Sequence, residues 1–189
     1  MEVILRKEII INKTLCRVMG VLTFVILTSL GAFVRIPLPF TPVPITLQTL
    51  FVLLSGAMLG ASLGSISQLG YMFLGISGLP VFAGAGSGLF YLFGPTGGYI
   101  LGFVLASFFI GRFIKYSETN FLLVFGLFCL ADFILLALGV IWLKVLSGYA
   151  WGKLFFIGFL PFIAGDLLKA WIAALLYYKL KSRIKQVLS

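Results

Sequence analysis

Asp166 and Lys169 lie three residues apart inside a continuously apolar stretch near the C-terminus. If that stretch is a helix in lipid, each group is costly there unless something compensates it. A spacing of three puts both on one helix face, beside the small residues Gly165, Ala170, Ala173 and Ala174. Facing inward, the carboxylate accepts hydrogen bonds from a ligand's N–H groups, and the ammonium donates to a carbonyl or carboxylate. The bland alternative is an internal ion pair that only neutralises itself, and in an empty site the two readings coexist. An inert Leu or Ala pair would cross a bilayer more cheaply, which weighs toward a ligand.

Asp132 is the other acid within an apolar run and has no basic neighbour close in sequence. It fits a cavity wall, a protonated carboxyl, or a packing or assembly role. Gln48 and Gln68 are uncharged polar groups in apolar segments, suited to bonding a ligand or a neighbouring helix; Gln48, just after a proline-rich loop, has the better claim on a ligand. Phe40, Phe82, Phe90 and Tyr91 fall in charge-free loops, as interfacial belt residues or as a lid over an apolar ligand. Other chemistries are excluded. A histidine count of 0 removes imidazole acid–base work and histidine metal sites. There is no G-x-x-x-x-G-K-[ST] loop for ATP and no carboxylate cluster for a divalent metal, so no cofactor is expected.

These residues need elements to hold them, and composition says which. The chain is 61% hydrophobic and 10% charged, against about 25% charged in soluble domains, and its mean hydropathy is +1.19. No Asp, Glu, Lys or Arg occurs between Ile36 and Gly111. Such runs belong in lipid, where only helices and closed barrels satisfy every backbone polar group. A barrel needs short alternating strands, whereas Val18 to Val34 and Phe121 to Leu143 are continuously apolar; the sequence predicts an all-α membrane protein. The net charge of +9 sits at the ends, in Arg6, Lys7, Lys13 and Arg17 and again in Lys179, Lys181, Arg183 and Lys185. That pattern anchors termini to anionic lipid headgroups and gives no nucleic-acid surface. Cys16 and Cys129 lie in segments that should not meet as a disulfide. The first apolar run lacks a small-residue cleavage site and reads as a retained helix.

The organisation expected is a single transmembrane domain over residues 1–189. It has a cytoplasmic segment 1–15, helices over about 16–36, 45–59, 65–76, 96–113, 120–144 and 154–180, and a tail 181–189. Pro37 to Pro44 cannot continue a helix and forms a stiff, extended loop. The glycine-rich, uncharged stretch Ser77 to Gly94 folds back into the protein as a capping loop. Gly94, Gly98 and Gly102 recur every fourth residue, a stripe for close helix approach. Six spans place both termini on one side. Arg112 and Lys115 share that side, while Arg35, Lys144 and Lys153 fall opposite; both termini are therefore expected in the cytoplasm and the capping loops outside.

Five segments, in order and spacing, carry a resemblance: Gly31-Ala-Phe-Val-Arg-Ile-Pro-Leu-Pro39, Val43-Pro-Ile-Thr-Leu-Gln48, Gly78-Leu-Pro-Val-Phe-Ala-Gly84, Gly94-Pro-Thr-Gly-Gly-Tyr99 and Phe159-Leu-Pro-Phe-Ile-Ala-Gly-Asp-Leu-Leu-Lys-Ala170. Together they resemble the BioY family of biotin-binding subunits of energy-coupling-factor (ECF) vitamin importers. The resemblance implies a six-helix bundle that binds biotin near its outer face, under the first loop. Asp166 and Lys169 become the polar contacts, and Gln48 with Phe82, Gly84, Ser87 and Tyr91 completes the pocket. Asp166 would meet the ureido N–H groups of biotin. The resemblance further implies a transmembrane coupling subunit and paired ATPases as partners. Where the family's first helix offers an Ala-x-x-x-Ala stripe, this chain has the bulkier Met19 to Ile26, and its turn between helices 2 and 3 is uncharged; a solitary or self-associating carrier therefore stands beside the ATP-driven one. Three further readings compete: the same scaffold for another small vitamin, an intramembrane enzyme using Asp132 and Asp166 as an acid–base pair, and a purely structural membrane protein.

Overall fold

The computed structural model describes residues 13–188, with side chains as far as Ser182. Arg6 and Lys7, and the side chains of Arg183 and Lys185, lie outside the described residues. The protein is an all-α bundle. In chain order its elements are α1 (Lys13–Phe33), β1 (Arg35–Ile36), β2 (Ile45–Thr46), α2 (Gln48–Ile76), α3 (Leu89–Leu92), α4 (Gly97–Ser117), α5 (Phe121–Ser147), α6 (Trp151–Gly158) and α7 (Leu160–Leu188). Among the described residues, five helical stretches are long and apolar enough to cross a membrane, with α6 and α7 as far as Ser182 forming the last. Large apolar side chains such as Leu22, Ile26, Phe73, Phe133 and Leu168 cover the outside, as lipid rather than water requires.

α1 stops at Phe33, three residues before the expected end, because the residues ahead of Pro37 are steered out of the helical region. Arg35–Ile36 instead pairs antiparallel with Ile45–Thr46, with Arg35 opposite Thr46. The proline loop is thus closed at its base by a two-residue ladder, and the next helix begins at Gln48 instead of Ile45.

α2 is continuous by hydrogen bonding except at Gly60, whose φ of 80° and ψ of 178° are not helical. Its two arms fold back on each other. Gln48 Nε2 donates to Tyr71 Oη at 2.6 Å and Gln68 Nε2 donates to Ser55 Oγ at 3.0 Å, contacts impossible in a straight helix rising 1.5 Å per residue. The expected turn over 60–64 is therefore a reversal at Gly60 alone, and the second arm starts at once. Small residues allow the close approach: a methyl at Gly56 would stand 2.3 Å from the Ser107 carbonyl oxygen, and one at Gly98 2.2 Å from Trp142 Cβ. Of the expected glycine stripe, Gly98 and Gly102 pack α4 on α5 at Trp142 and Leu135, whereas Gly94 precedes the helix and lies against Tyr91. Thr28 of α1, Ser55 and Gln68 of α2 and Ser107 of α4 form one buried hydrogen-bonded chain, which fixes these helices in lipid without charge.

Asn120 caps α5 by accepting from the Leu122 N–H at 2.8 Å. Gly148, with φ 67°, closes its C-terminus. The last span is broken at Phe159, just before Pro161, into α6 and α7, since a proline ring cannot sit inside an unbroken helix. Both cysteines are free thiols.

Candidate ligand-binding site

The break before α7 brings Asp166 and Lys169 toward the loop-bearing end of the bundle, and both are buried, at 3% and 7% exposure. They form an ion pair through Asp166 Oδ1. Thr49 of α2 donates to the same oxygen at 3.2 Å, and Lys169 Nζ also donates to the Thr46 backbone carbonyl at 2.9 Å. That carbonyl is available because the β1–β2 ladder holds the proline loop against α2. Thr46 Oγ1 continues the network to Gln48 Oε1 at 3.2 Å, and Gln48 reaches Tyr71. A polar strip thus runs from α7 through the first loop to both arms of α2, and each member has a partner.

This strip forms one side of a cavity with about 500 Å³ of unfilled space, counting its open mouth. Val43, Pro44, Ile100, Phe103, Leu135, Leu136 and Phe162 make its apolar walls, with the rings of Tyr71, Tyr91 and Tyr99 turned into it. Tyr99 is held by its own hydroxyl, which donates to the Gly158 carbonyl at 2.7 Å at the end of α6. The chemistry on offer is recognition: an apolar body fits the walls, and a head with both N–H donors and a carbonyl matches a carboxylate, an ammonium and an amide.

Over residues 7–186 the sequence matches the BioY family model. The chain belongs to the BioY family. Relatives include the probable biotin transporter BioY of Pyrococcus horikoshii, 40% identical over 159 residues, covering 84% of this chain and 91% of that one. The biotin transporter BioY of Thermotoga maritima is 42% identical over 161 residues, with the same two coverages. In three dimensions this BioY chain is similar to the crystal structure of the S-component for biotin from an ECF-type ABC transporter. The TM-score is 0.85 at 28% identity, over 91% of this chain and 94% of that one.

The site residues expected from the sequence of this BioY chain divide into three groups. Asp166, Lys169, Gln48 and Tyr91 line the cavity. Phe82 stands behind it, fully buried: its ring stacks on Tyr91 at 4.8 Å and meets Tyr71 edge-on at 5.6 Å, so it props two wall residues rather than covering a ligand, and Ala83 beside it reaches the lining. Gly84 and Ser87 do not line the cavity; Ser87 is exposed, and Gly84, at φ 77°, passes under the Arg35 guanidinium. Phe90 points away at 90% exposure, and Phe40 lines a separate outer groove with Pro42 and Phe93. Gln68 belongs to the helix-joining chain and not to the site.

Tyr71, Tyr99, Thr46, Thr49 and Phe103 escaped the sequence reading. Thr49 follows Gln48 and Tyr71 follows Gln68 by one helical turn, so both sat next to residues already singled out. Their roles arise only when α2 doubles back and α7 docks. Asp132 of α5 is buried beside Asp166, and the two acids share a second crevice walled by Cys129, Phe133, Phe159, Ile163 and Leu167. Among the described residues no group of three or more His, Cys, Asp or Glu could hold a metal ion.

Proposed function

We propose that this chain is the substrate-binding component of an ECF-type importer and takes up biotin across the cytoplasmic membrane. The observation that carries the reading is the buried Asp166–Lys169 pair at one side of an otherwise apolar, ring-lined cavity. Biotin matches that asymmetry, with a ureido group at one end of an apolar thioether ring and chain. Asp166 accepts from the ureido N–H groups, Lys169 and Gln48 donate to oxygen, and Tyr71, Tyr91, Tyr99 and Phe103 enclose the ring system. The family is one of transport components, so the enzyme reading of Asp132 and Asp166 is set aside. The two acids share a crevice, but its other walls are mostly apolar side chains that offer a polar substrate few partners.

Within this proposal the two arms of α2 count as two short spans, making six, with both termini in the cytoplasm. Lys13, Arg17, Arg112, Lys115, Lys179 and Lys181 then lie on the cytoplasmic side, against Arg35, Lys144 and Lys153 outside, in keeping with the positive-inside rule. The cavity opens outward beneath the proline loop. Partner subunits would meet the lipid-facing side. There α1 presents Val18, Met19, Leu22 and Ile26 outward while Thr28, Ser29, Gly31 and Ala32 pack inward; this bulky stripe suits a coupling subunit or a second copy equally.

Calorimetric titration of the purified protein with biotin and a panel of other small vitamins tests the ligand. Biotin is expected to bind below micromolar concentration and the others not. Tight binding of a different vitamin, with none of biotin, would overturn the assignment. Biotin uptake by cells expressing this chain alone, set against cells that also express coupling subunits, decides between the solitary and ATP-driven modes.

A further inference from the structure

Behind the ligand-facing pair lies a group that the binding reading does not use. Asp132 is 6% exposed, and its Oδ1 is buried with no hydrogen-bond partner. It sits one turn before Leu135 and Leu136, which line the main cavity, so it lies just beyond the cavity wall. Both acids line the crevice between α5 and α7, which places the unpartnered Asp132 carboxyl in the same hollow as that of Asp166.

Charge counting makes this arrangement informative. Asp166 is satisfied as a carboxylate by Lys169 and Thr49. The groups near Asp132 are Cys129 on its own helix and Asp166 and Lys169 on α7. α4 contributes Tyr99 and α2 contributes Tyr71, both in the main cavity, while the charge on α6, Lys153, lies in the outer groove. One ammonium therefore faces two acids. A second carboxylate there would be an uncompensated charge at membrane depth against a like charge. A carboxylic acid, by contrast, has an O–H to donate.

We propose that Asp132 is a positioning residue, carried as a neutral acid that donates its proton to Asp166 and so aims the Asp166 carboxylate and its paired Lys169 into the ligand cavity. The carboxylate then holds three donors, from Thr49, Lys169 and Asp132, and keeps its free lone-pair directions for the ligand. Loss of the Asp132 proton would set two negative charges against one positive charge and loosen the site.

Two measurements test this, and only the second rests on the biotin reading. Infrared spectra of the purified protein at neutral pH should show the C=O stretch of a protonated carboxyl, shifted by deuterium exchange and missing in Asp132→Asn. Absence of such a band from the wild type, or its survival in Asp132→Asn, overturns the proposal whatever the ligand is. Biotin affinity should stay within about threefold in Asp132→Asn, whose amide can still donate, and fall roughly tenfold or more in Asp132→Leu, the loss expected when a bond to a charged acceptor is removed. Wild-type affinity should also decline toward alkaline pH more steeply than that of Asp132→Asn. Equal losses in Asn and Leu variants that remain folded, or identical pH profiles, would overturn it. If no variant and no wild type binds biotin, the ligand assignment fails and the infrared result still decides the role of Asp132.

Discussion

At the scale of single residues, the Asp166–Lys169 pair carries two separable burdens. As a buried ion pair it contributes little net stability, because desolvation offsets the attraction, yet removing one partner strands the other and costs about 3–5 kcal/mol. In the recognition role proposed for it, the pair is needed whole. Asp166→Leu or Lys169→Met alone should therefore lower the melting temperature in detergent markedly. The double variant should recover much of that loss, since two apolar side chains replace both charges, while its biotin affinity stays abolished in a binding titration. A double variant that still bound biotin tightly would separate the pair from recognition. Tyr71→Phe makes a finer test. It leaves the ring in the wall but deprives the Gln48 amide of its 2.6 Å acceptor, at a cost of about 1–3 kcal/mol for an unsatisfied buried donor. Calorimetry should record weaker binding with a largely unchanged cavity shape.

At the scale of elements, the reversal within α2 rests on one glycine. Gly60, at φ 80° and ψ 178° with nothing near an added methyl, occupies a region that only glycine enters freely, and forcing another residue there costs about 1–3 kcal/mol. Gly126 of α5 also has open space around it but ordinary helical backbone. Gly60→Ala should thus lower the melting temperature, whereas Gly126→Ala should leave it level or raise it by the helix-propensity gain of about 0.5–1 kcal/mol. The same contrast explains what the sequence revealed and what it hid. Helix ends governed by local chemistry, at Pro37, Asn120 and Gly148, were legible within a few residues, and so was the presence of a turn near Gly60. The β1–β2 ladder was not, because two-residue strands separated by the eight-residue loop 37–44 leave no periodic pattern. Nor was the partition of the second loop: Phe82, Gly84, Ser87 and Tyr91 look alike as aromatic and small loop residues, and only packing against Gly75, where a methyl would lie 2.0 Å from the Phe82 ring, sends Phe82 inward and leaves Ser87 outside. That Asp166 and Lys169 turn inward was legible, since their cost in lipid is a property of residue type, whereas Thr49, 117 positions from Asp166, becomes a partner only through the tertiary fold.

At the scale of the whole molecule, charge distribution and cavity position together set a direction. One end of the bundle carries the proline loop, the glycine-rich loop and the α5–α6 link. The other carries the Gly60 reversal and the α4–α5 link, where Lys181 Nζ donates to the Glu118 carbonyl at 2.7 Å and Tyr177 Oη donates to its carboxylate at 3.1 Å. If the basic end faces the cytoplasm, the cavity opens to the outside, as an importer's binding site must before it is turned inward. Single cysteines at Ser87 and Tyr116, both exposed, in a background with Cys16 and Cys129 replaced by serine, report the orientation in intact cells. An impermeant thiol reagent should label Ser87→Cys at once and Tyr116→Cys only after the membrane is opened. The reverse order would turn the molecule over and point its cavity at the cytoplasm. Because Ser87 stands outside the cavity wall, biotin should leave its labelling unchanged; strong protection there would mean that the glycine-rich loop closes over the ligand and would bring Ser87 back into the site.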